Sequence, residues 1–311
     1  MSAKITVITG PTSGIGKETA LELARQDHAI YLLVRDMERG EQLRESITGQ
    51  TGNKAIYAIQ CDLTDLESVQ RAADELASKL SEVNVLINNA GGIFPRKELS
   101  KDGFEMTFAL NHLGHFALTM HLMPLLEKGH ARIINVSSEA HKTGKPDFNN
   151  LRGEKPYSAK KAYATTKLYN IFFTESLADR CRDKGISTFA LHPGVVKTNF
   201  GDGVTGFSKL LLWLARPFMI SPEKGAKTSV YLATKPKLEI KSGGYFIKRK
   251  KMRLSDKAIN FSVRNQLWNI SLQLVGMKDM IAANYREPAS NNVNQEKKTI
   301  ENVDLRKYIH A

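Results

Sequence analysis

Tyr163 and Lys167 stand four residues apart inside Ala159 to Lys184, a stretch with helical spacing of its apolar residues. That interval puts both side chains on one face, one turn apart. A phenol near pKa 10 is a slow acid or base at neutral pH. An ammonium one turn away favours the phenolate, so Lys167 is expected to lower the Tyr163 pKa. Taken alone the pair is a common surface pattern, and its meaning depends on its company. Ser137 and Ser138 close the apolar run Ala131 to Val136, and ligands of open α/β sheets sit beyond the carboxyl ends of such strands. Either hydroxyl can donate to an oxygen on which charge develops. Asn111 lies inside Phe104 to Leu126, a long helical stretch. Asparagine is mildly unfavourable there. A water-mediated proton path through the lysine accounts for it, and so does a packed or capping amide.

A second constellation sits near the N-terminus. Gly10, Thr12, Ser13, Gly14, Ile15 and Gly16 belong to a turn that joins the strand-like Ile5 to Ile8 to the helical Lys17 to Arg25. Glycine is needed where the backbone takes angles that side chains forbid, and where a phosphate must approach the main chain. The following helix aims its free N–H groups and positive dipole end at that anion. A plain strand-to-helix turn uses glycine too. The flanking elements favour a dinucleotide pyrophosphate site, with GxxxGxG spacing in place of GxGxxG.

The strand Ala29 to Val34 is followed by Arg35, about where a dinucleotide fold sets its cofactor preference. A guanidinium fork suits a 2′-phosphate, which favours NADP(H), and surface solubility is the plainer use of Arg35. Asp36 is expected to have left the strand already, and its presence keeps NAD(H) possible. Arg39 and Lys17 are read as solvated. Asp62, with Leu63 as backbone support, ends the strand Ala55 to Gln60. It is placed either to bond the adenine amino group or to cap the next helix. Asn89, Ala90 and Gly91 follow the strand Val83 to Ile87 and should pass close to the adenosine ribose. Asn also fills such turns for purely structural reasons.

The elements that position these residues alternate. Helical spacing recurs in Leu66 to Leu80 and Pro222 to Ala233, and a sixth strand runs Ile186 to Leu191. This rhythm predicts an α/β fold with a doubly wound parallel sheet and helices on both faces. One domain is expected over residues 1–285, with a substrate loop at about 200–220. A polar and mobile extension is expected over 286–311. Phe207, Leu210, Leu211, Leu212, Trp213, Leu214, Phe218 and Met219 make the loop apolar. A lipophilic substrate, a membrane surface, a dimer contact or core packing would each use it.

The bulk numbers narrow the classes. A hydrophobic share of 41% with 25% charged residues supports a sizeable core. The net charge of +13 concentrates partly in Lys248, Arg249, Lys250, Lys251 and Arg253, read as a solvated face. No aromatic residues interleave with it, so no nucleic-acid partner is expected. Two cysteines, Cys61 and Cys181, form no CxxC pair, so no metal site is expected, and a reducing cytoplasmic setting fits. No signal peptide and no apolar run of membrane-spanning length is found.

Together these residues resemble the short-chain dehydrogenase/reductase superfamily over about residues 4–250. The resemblance rests on Thr9 to Gly16, Asn88-Asn89-Ala90-Gly91, Asn111, Ser138, Tyr163-Ala164-Thr165-Thr166-Lys167 and His192-Pro193-Gly194. It implies a Rossmann fold, a homodimer or homotetramer, and a tetrad of Asn111, Ser138, Tyr163 and Lys167, selecting Ser138 over Ser137. The lysine would also hold the nicotinamide ribose. Pro193, Gly194, Val196 and Thr198 would line the nicotinamide end. Asn135 to His141, Phe148 to Leu151 and Glu154 to Tyr157 are similar to the retinol dehydrogenase branch, whose insertion lengthens the gap between Ser138 and Tyr163. That branch tends to use NADP(H), with NAD(H) as the alternative. Many members carry an N-terminal membrane anchor, which this chain is expected to lack, leaving peripheral membrane contact. The implied activity is interconversion of a carbonyl and an alcohol on a small molecule. An NADP-binding sensor or a membrane-associated adaptor on the same fold is the competing class.

Overall fold

The computed structural model describes residues 3–196, 219–236 and 241–277. Eight strands form one sheet: β1 (Ile5–Thr9), β2 (Ala29–Val34), β3 (Ile56–Gln60), β4 (Val85–Asn88), β5 (Arg132–Val136), β6 (Ser187–His192), β7 (Gly244–Ile247) and β8 (Lys250–Met252). Their order is β3-β2-β1-β4-β5-β6-β7-β8, with the first seven parallel and β8 antiparallel at the edge. Strands buried on both faces must be apolar throughout. IYLLV in β2 and VLI in β4 meet that demand, each of these residues being buried, and Asn88 at the end of β4 is buried with its amide hydrogen-bonded.

Helices cover both faces. On one side lie α1 (Gly14–Ala24), α2 (Met37–Thr51) and α8 (Pro222–Thr234), sharing a core with Ile8, Leu32, Ile87 and Phe246. On the other lie α3 (Leu66–Lys79), α5 (Gly114–His121) and α7 (Ala159–Arg180), packed over Val7, Leu86 and Ile133. The strand order reverses between β1 and β4. In such sheets the crevice for a ligand opens there, beyond the carboxyl ends.

Three expectations change. The stretch Phe104 to Leu126 is not one helix. It breaks into α4 (Met106–Phe108), a π-helical turn at Ala109–Leu113, α5, and α6 (Met123–Lys128), whose first turn holds Pro124. The helix expected through Lys184 ends at Arg180, because Gly185 takes a φ of 71° and the chain turns into β6. Sequence reading missed β7, β8 and the final helix α9 (Phe261–Leu274). Trp268 of α9 packs edge-on to Phe116 at 5.1 Å, and Ser271 bonds His112 at 3.0 Å. The polar extension expected at 286–311 lies outside the described residues.

Candidate active site

The glycine turn is closed by backbone proximity. Gly10 has a φ of 60°, and a Cβ there would stand 2.8 Å from Ala90 Cα. Gly14 has a φ of 54°. A Cβ on Gly16 would stand 2.2 Å from the Gly10 carbonyl oxygen. Only glycine accepts those angles and gaps at low cost. Ser13 is the N-cap of α1, yet its side chain makes no cap bond, and the first turn holds no acidic residue. Thr12 and Ser13 are exposed, while Gly14 and Ile15 are partly so. The free N–H groups of α1 therefore face an open, electropositive cradle, which fits a dinucleotide pyrophosphate.

The turn is tied to the end of β4. Asn89 donates through Nδ2 to the carbonyls of Thr9 (2.9 Å) and Gly10 (3.0 Å). The main-chain N–H groups of Asn89 and Ala90 donate to Thr9 Oγ1 at 2.9 and 3.0 Å. Asn89, Ala90 and Gly91 are thus fixed beside the glycine turn, partly exposed to the crevice. Asn88 points elsewhere, donating to Thr119 and Asn135 in the core.

Tyr163 and Lys167 do share one face of α7, with the ammonium 5.4 Å from the phenol ring centroid. Lys167 is buried and donates to the Val136 carbonyl at 3.0 Å. Burial pulls its pKa down to about 8. The Tyr163 phenol is pushed up to about 12 by burial, and a hydrogen bond with Ser138 pulls the other way. The lowering expected from the lysine is overturned in the chain alone. Desolvation of the phenol sets the direction of its shift. The two serines separate cleanly. Ser137 is buried and donates to the Lys167 carbonyl at 2.7 Å, while Ser138 meets Tyr163. Ser138 also begins a 3-10 turn at Glu139–Thr143, accepting from the Ala140 N–H at 3.2 Å.

Asn111 lies in the π-helical turn and is fully buried. Its side chain accepts from the Gly92 N–H (2.8 Å), and donates to the Gly92 carbonyl (2.9 Å) and to Thr166 (3.1 Å). A Cβ on Gly91 would sit 3.2 Å from Asn111 Oδ1 and 3.3 Å from Lys167 Nζ. The amide therefore clamps the turn after β4 beside the lysine. π-helical turns of this kind recur at functional sites.

Once this geometry is set, comparison with known proteins is decisive. The short chain dehydrogenase family model matches residues 4–206. The chain belongs to the short-chain dehydrogenase/reductase family. It is 40% identical over 278 residues to retinol dehydrogenase 11 of Homo sapiens, covering 89% of this chain and 87% of that one. It is 41% identical over 279 residues to retinol dehydrogenase 12 of Mus musculus, covering 88% and 87%. A crystal structure of a Mycobacterium paratuberculosis protein superposes with a TM-score of 0.71 at 31% identity, covering 88% and 93%. The chain is thus an oxidoreductase of this family, in its retinol dehydrogenase-like branch, with a nicotinamide dinucleotide as cofactor and small molecules as substrates.

The remaining positions of this dehydrogenase/reductase follow the sheet. Arg35 is exposed directly after β2, and Asp36 has left the strand to cap α2, accepting from the Arg39 N–H at 3.2 Å. Asp62 accepts from Thr64 N (2.9 Å) and Oγ1 (2.7 Å), whereas the cap of α3 is Asp65. The capping alternative for Asp62 is therefore excluded. Leu63 is buried, its carbonyl close under Gly114. Pro193 and Gly194 leave β6 partly exposed, and Val196 forms a parallel bridge with Ile220. Thr198 and most of the apolar loop, from residue 197 to 218, lie outside the described residues. Thr9 and Thr166 were read only as members of the two motifs, without their supporting bonds, and His115 was missed as a site support. A threonine ending a strand and a histidine inside a helix carry no spacing signal of their own.

Proposed function

We propose that this chain is an NADP(H)-dependent oxidoreductase that interconverts a carbonyl and an alcohol on a small lipophilic molecule, with Tyr163 moving the proton. The observation that carries this reading is the Ser138–Tyr163 hydrogen bond beside the buried Lys167, at the carboxyl end of β5. Gly10, Thr12, Ser13, Gly14, Ile15 and Gly16 would cradle the pyrophosphate. Arg35 would pair with the 2′-phosphate, a preference supported by Asp36 being committed to its cap. Asp62 and Leu63 would border the adenine, and Asn89, Ala90 and Gly91 the adenosine ribose. Lys167 and Tyr163 would hold the nicotinamide ribose, and Pro193, Gly194, Val196 and Thr198 would line the nicotinamide end.

When bound, the nicotinamide supplies or accepts a hydride. The protein's own work is positioning and proton movement. Ser138 orients the substrate oxygen, and Tyr163, a neutral phenol in the chain alone, donates its proton to that oxygen as charge builds there. A protonated phenol suits carbonyl reduction; the reverse reaction needs the phenolate. The apolar make-up of residues 207–219 and the relationship to retinol dehydrogenases support a lipophilic substrate. The same apolar residues, with Lys209 and Arg216 among them, support peripheral contact with a membrane. Among the described residues no helix is long and apolar enough to cross one.

NADPH absorbance followed against ketones, aldehydes and quinones, with NADH as the control, tests the reading. Tyr163→Phe keeps the ring and removes the proton. Near-complete loss of turnover with NADPH still bound is expected; full activity in that variant rejects Tyr163 as the proton donor.

A further inference from the structure

The turn after β5 hides one side chain. Within Glu139–Thr143 only His141 is buried, at 2% exposure, while Glu139, Lys142 and Thr143 face solvent. A buried imidazole costs free energy unless its polar atoms find partners. Its Nδ1 lies 2.7 Å from the Ser138 carbonyl oxygen. That oxygen can only accept, so Nδ1 carries the proton. The main-chain N–H of His141 donates to the same oxygen at 3.0 Å. One residue thus fills both acceptor positions of the Ser138 carbonyl.

The Ser138 hydroxyl is set from the same turn. Its oxygen accepts from the Ala140 N–H at 3.2 Å. The hydroxyl hydrogen is therefore directed away from the turn, toward Tyr163.

On either side the chain is fastened to α7 around Tyr163. Ser137 donates to the Lys167 carbonyl at 2.7 Å. Gly144 is pressed so close that a Cβ there would stand 2.4 Å from the Ala164 carbonyl oxygen. Thr165 Oγ1 accepts from the Lys145 N–H at 3.3 Å and donates to the Lys145 carbonyl at 3.1 Å. Between these anchors, the orientation of Ser138 depends on the Ala140 and His141 bonds. The His141 ring is itself held, packing edge-on to the buried Tyr245 of β7 with centroids 5.1 Å apart. It cannot swing off the Ser138 carbonyl without disturbing that contact.

We propose that His141 is a positioning residue, whose Nδ1–H holds the Ser138 peptide so that the Ser138 hydroxyl meets Tyr163 and the substrate oxygen. The proposal rests on the reading of Tyr163 as proton donor. A role in core packing alone would need the bulk of the ring and not its N–H.

His141→Phe keeps an aromatic ring against Tyr245 and removes the N–H. Turnover is followed with NADPH and the most active ketone or aldehyde of the panel, and NADPH binding by fluorescence. In His141→Phe kcat should fall by about 10- to 100-fold, as for a misplaced catalytic group. The loss should lie in kcat and not in KM, because the substrate oxygen gains charge only in the transition state. NADPH affinity should be nearly unchanged. His141→Asn places an amide N–H near the Nδ1 position and should recover most of kcat. His141→Gln places its amide near Nε2 and should not, and this pair decides the matter if His141→Phe fails to fold. Nitrogen-15 spectra of the ligand-free chain should show the His141 ring protonated at Nδ1. Parental kcat in His141→Phe overturns the proposal, as does equal turnover in the Asn and Gln variants. So does a ring protonated at Nε2 alone, or a loss of NADPH affinity as large as the loss of kcat. Full activity in Tyr163→Phe would instead sink the proton-donor reading and leave the ring tautomer standing.

Discussion

His115 Nε2 lies 2.9 Å from Thr9 Oγ1, joining the helix that follows Asn111 to the strand that enters the glycine turn. The ring's other nitrogen lies 3.3 Å from the Asn111 carbonyl, an acceptor only, so Nδ1 carries the proton and Nε2 accepts from Thr9. Burial holds the His115 pKa down to about 3, keeping the ring neutral. With its hydrogen given to His115, the Thr9 oxygen can accept from both Asn89 and Ala90. Thr9→Val leaves the Ala90 N–H and the imidazole nitrogen unmatched, while the Asn89 N–H keeps the Ile87 carbonyl at 3.0 Å. A loss of about 2 kcal/mol is expected in urea unfolding. Dinucleotide affinity should fall roughly tenfold. Thr9→Ser should restore most of both. A stable Thr9→Val protein with parental affinity would show that this contact positions nothing.

Lys167 gives a pH signature. Its pKa falls from 10.5 in the unfolded chain to about 8 in the fold. Between those values the unfolded chain binds more protons, so the Lys167 contribution to stability rises with pH in that window. Below about pH 8 both states are charged, and the full cost of burying the ammonium is present. Tyr163 works the other way: its pKa is raised to about 12, so its contribution is lost as pH rises above 10. The clean window is therefore about pH 8 to 10. Urea stability of the parent, compared with Lys167→Met, should improve there by about 2 kcal/mol. A flat difference between the two proteins would contradict a depressed lysine.

Much of this layout is legible in the sequence, and the parts that are not have physical reasons. The first six strands read as mostly apolar runs bounded by turn residues, because parallel strands with both faces covered are rich in apolar side chains. β8 is Lys250-Lys251-Met252, an edge strand whose exposed side chains look like any solvated surface. α9 hides its inner face because Arg264, Asn265, Gln266 and Ser271 are buried polar residues. Arg264 is matched there by Asp179 of α7, a partner that lies far away in the chain. The π-helical turn leaves helical spacing almost unchanged, so Phe104 to Leu126 reads as continuous. In the site, residue types and intervals pointed to Tyr163, Lys167 and the glycines. The Tyr163 pKa was not legible, because it depends on how deeply the phenol is desolvated and on its hydrogen bond with Ser138.

Arg35 and Asp36 divide two tasks that sequence alone left tangled. Asp36 caps α2 and pairs with Arg39 at 3.6 Å, while Arg35 is exposed at the end of β2. Arg35→Ser is expected to weaken NADPH by roughly 10- to 100-fold, the worth of a charge-assisted phosphate contact, and to leave NADH nearly unchanged. Asp36→Ala should cost about 1 kcal/mol of stability through the lost cap. It should not raise the preference for NADPH by more than a few-fold. Equal losses for both dinucleotides in Arg35→Ser would remove the basis for the 2′-phosphate assignment.

Gly14 and Gly16 separate backbone angle from backbone contact. Gly14 takes a φ of 54°, so Gly14→Ala meets angular strain of about 1 kcal/mol. Gly16 is different. Its added Cβ would fall 2.2 Å from the Gly10 carbonyl oxygen and 2.5 Å from Asn89 Nδ2. The Gly10 carbonyl cannot retreat cheaply, since Gly10 itself is pressed against Ala90 and its oxygen is held by Asn89. Gly16→Ala must therefore open the Asn89 contact and shift the strand end that borders the crevice. A cost of about 3 kcal/mol is expected, larger than for Gly14→Ala. Thermal melting of the ligand-free proteins should rank the parent above Gly14→Ala and Gly14→Ala above Gly16→Ala. Dinucleotide should raise the melting temperature of the parent most and of Gly16→Ala least. If Gly16→Ala melts with the parent and keeps the full ligand shift, the Gly10–Asn89 closure does not shape the cradle.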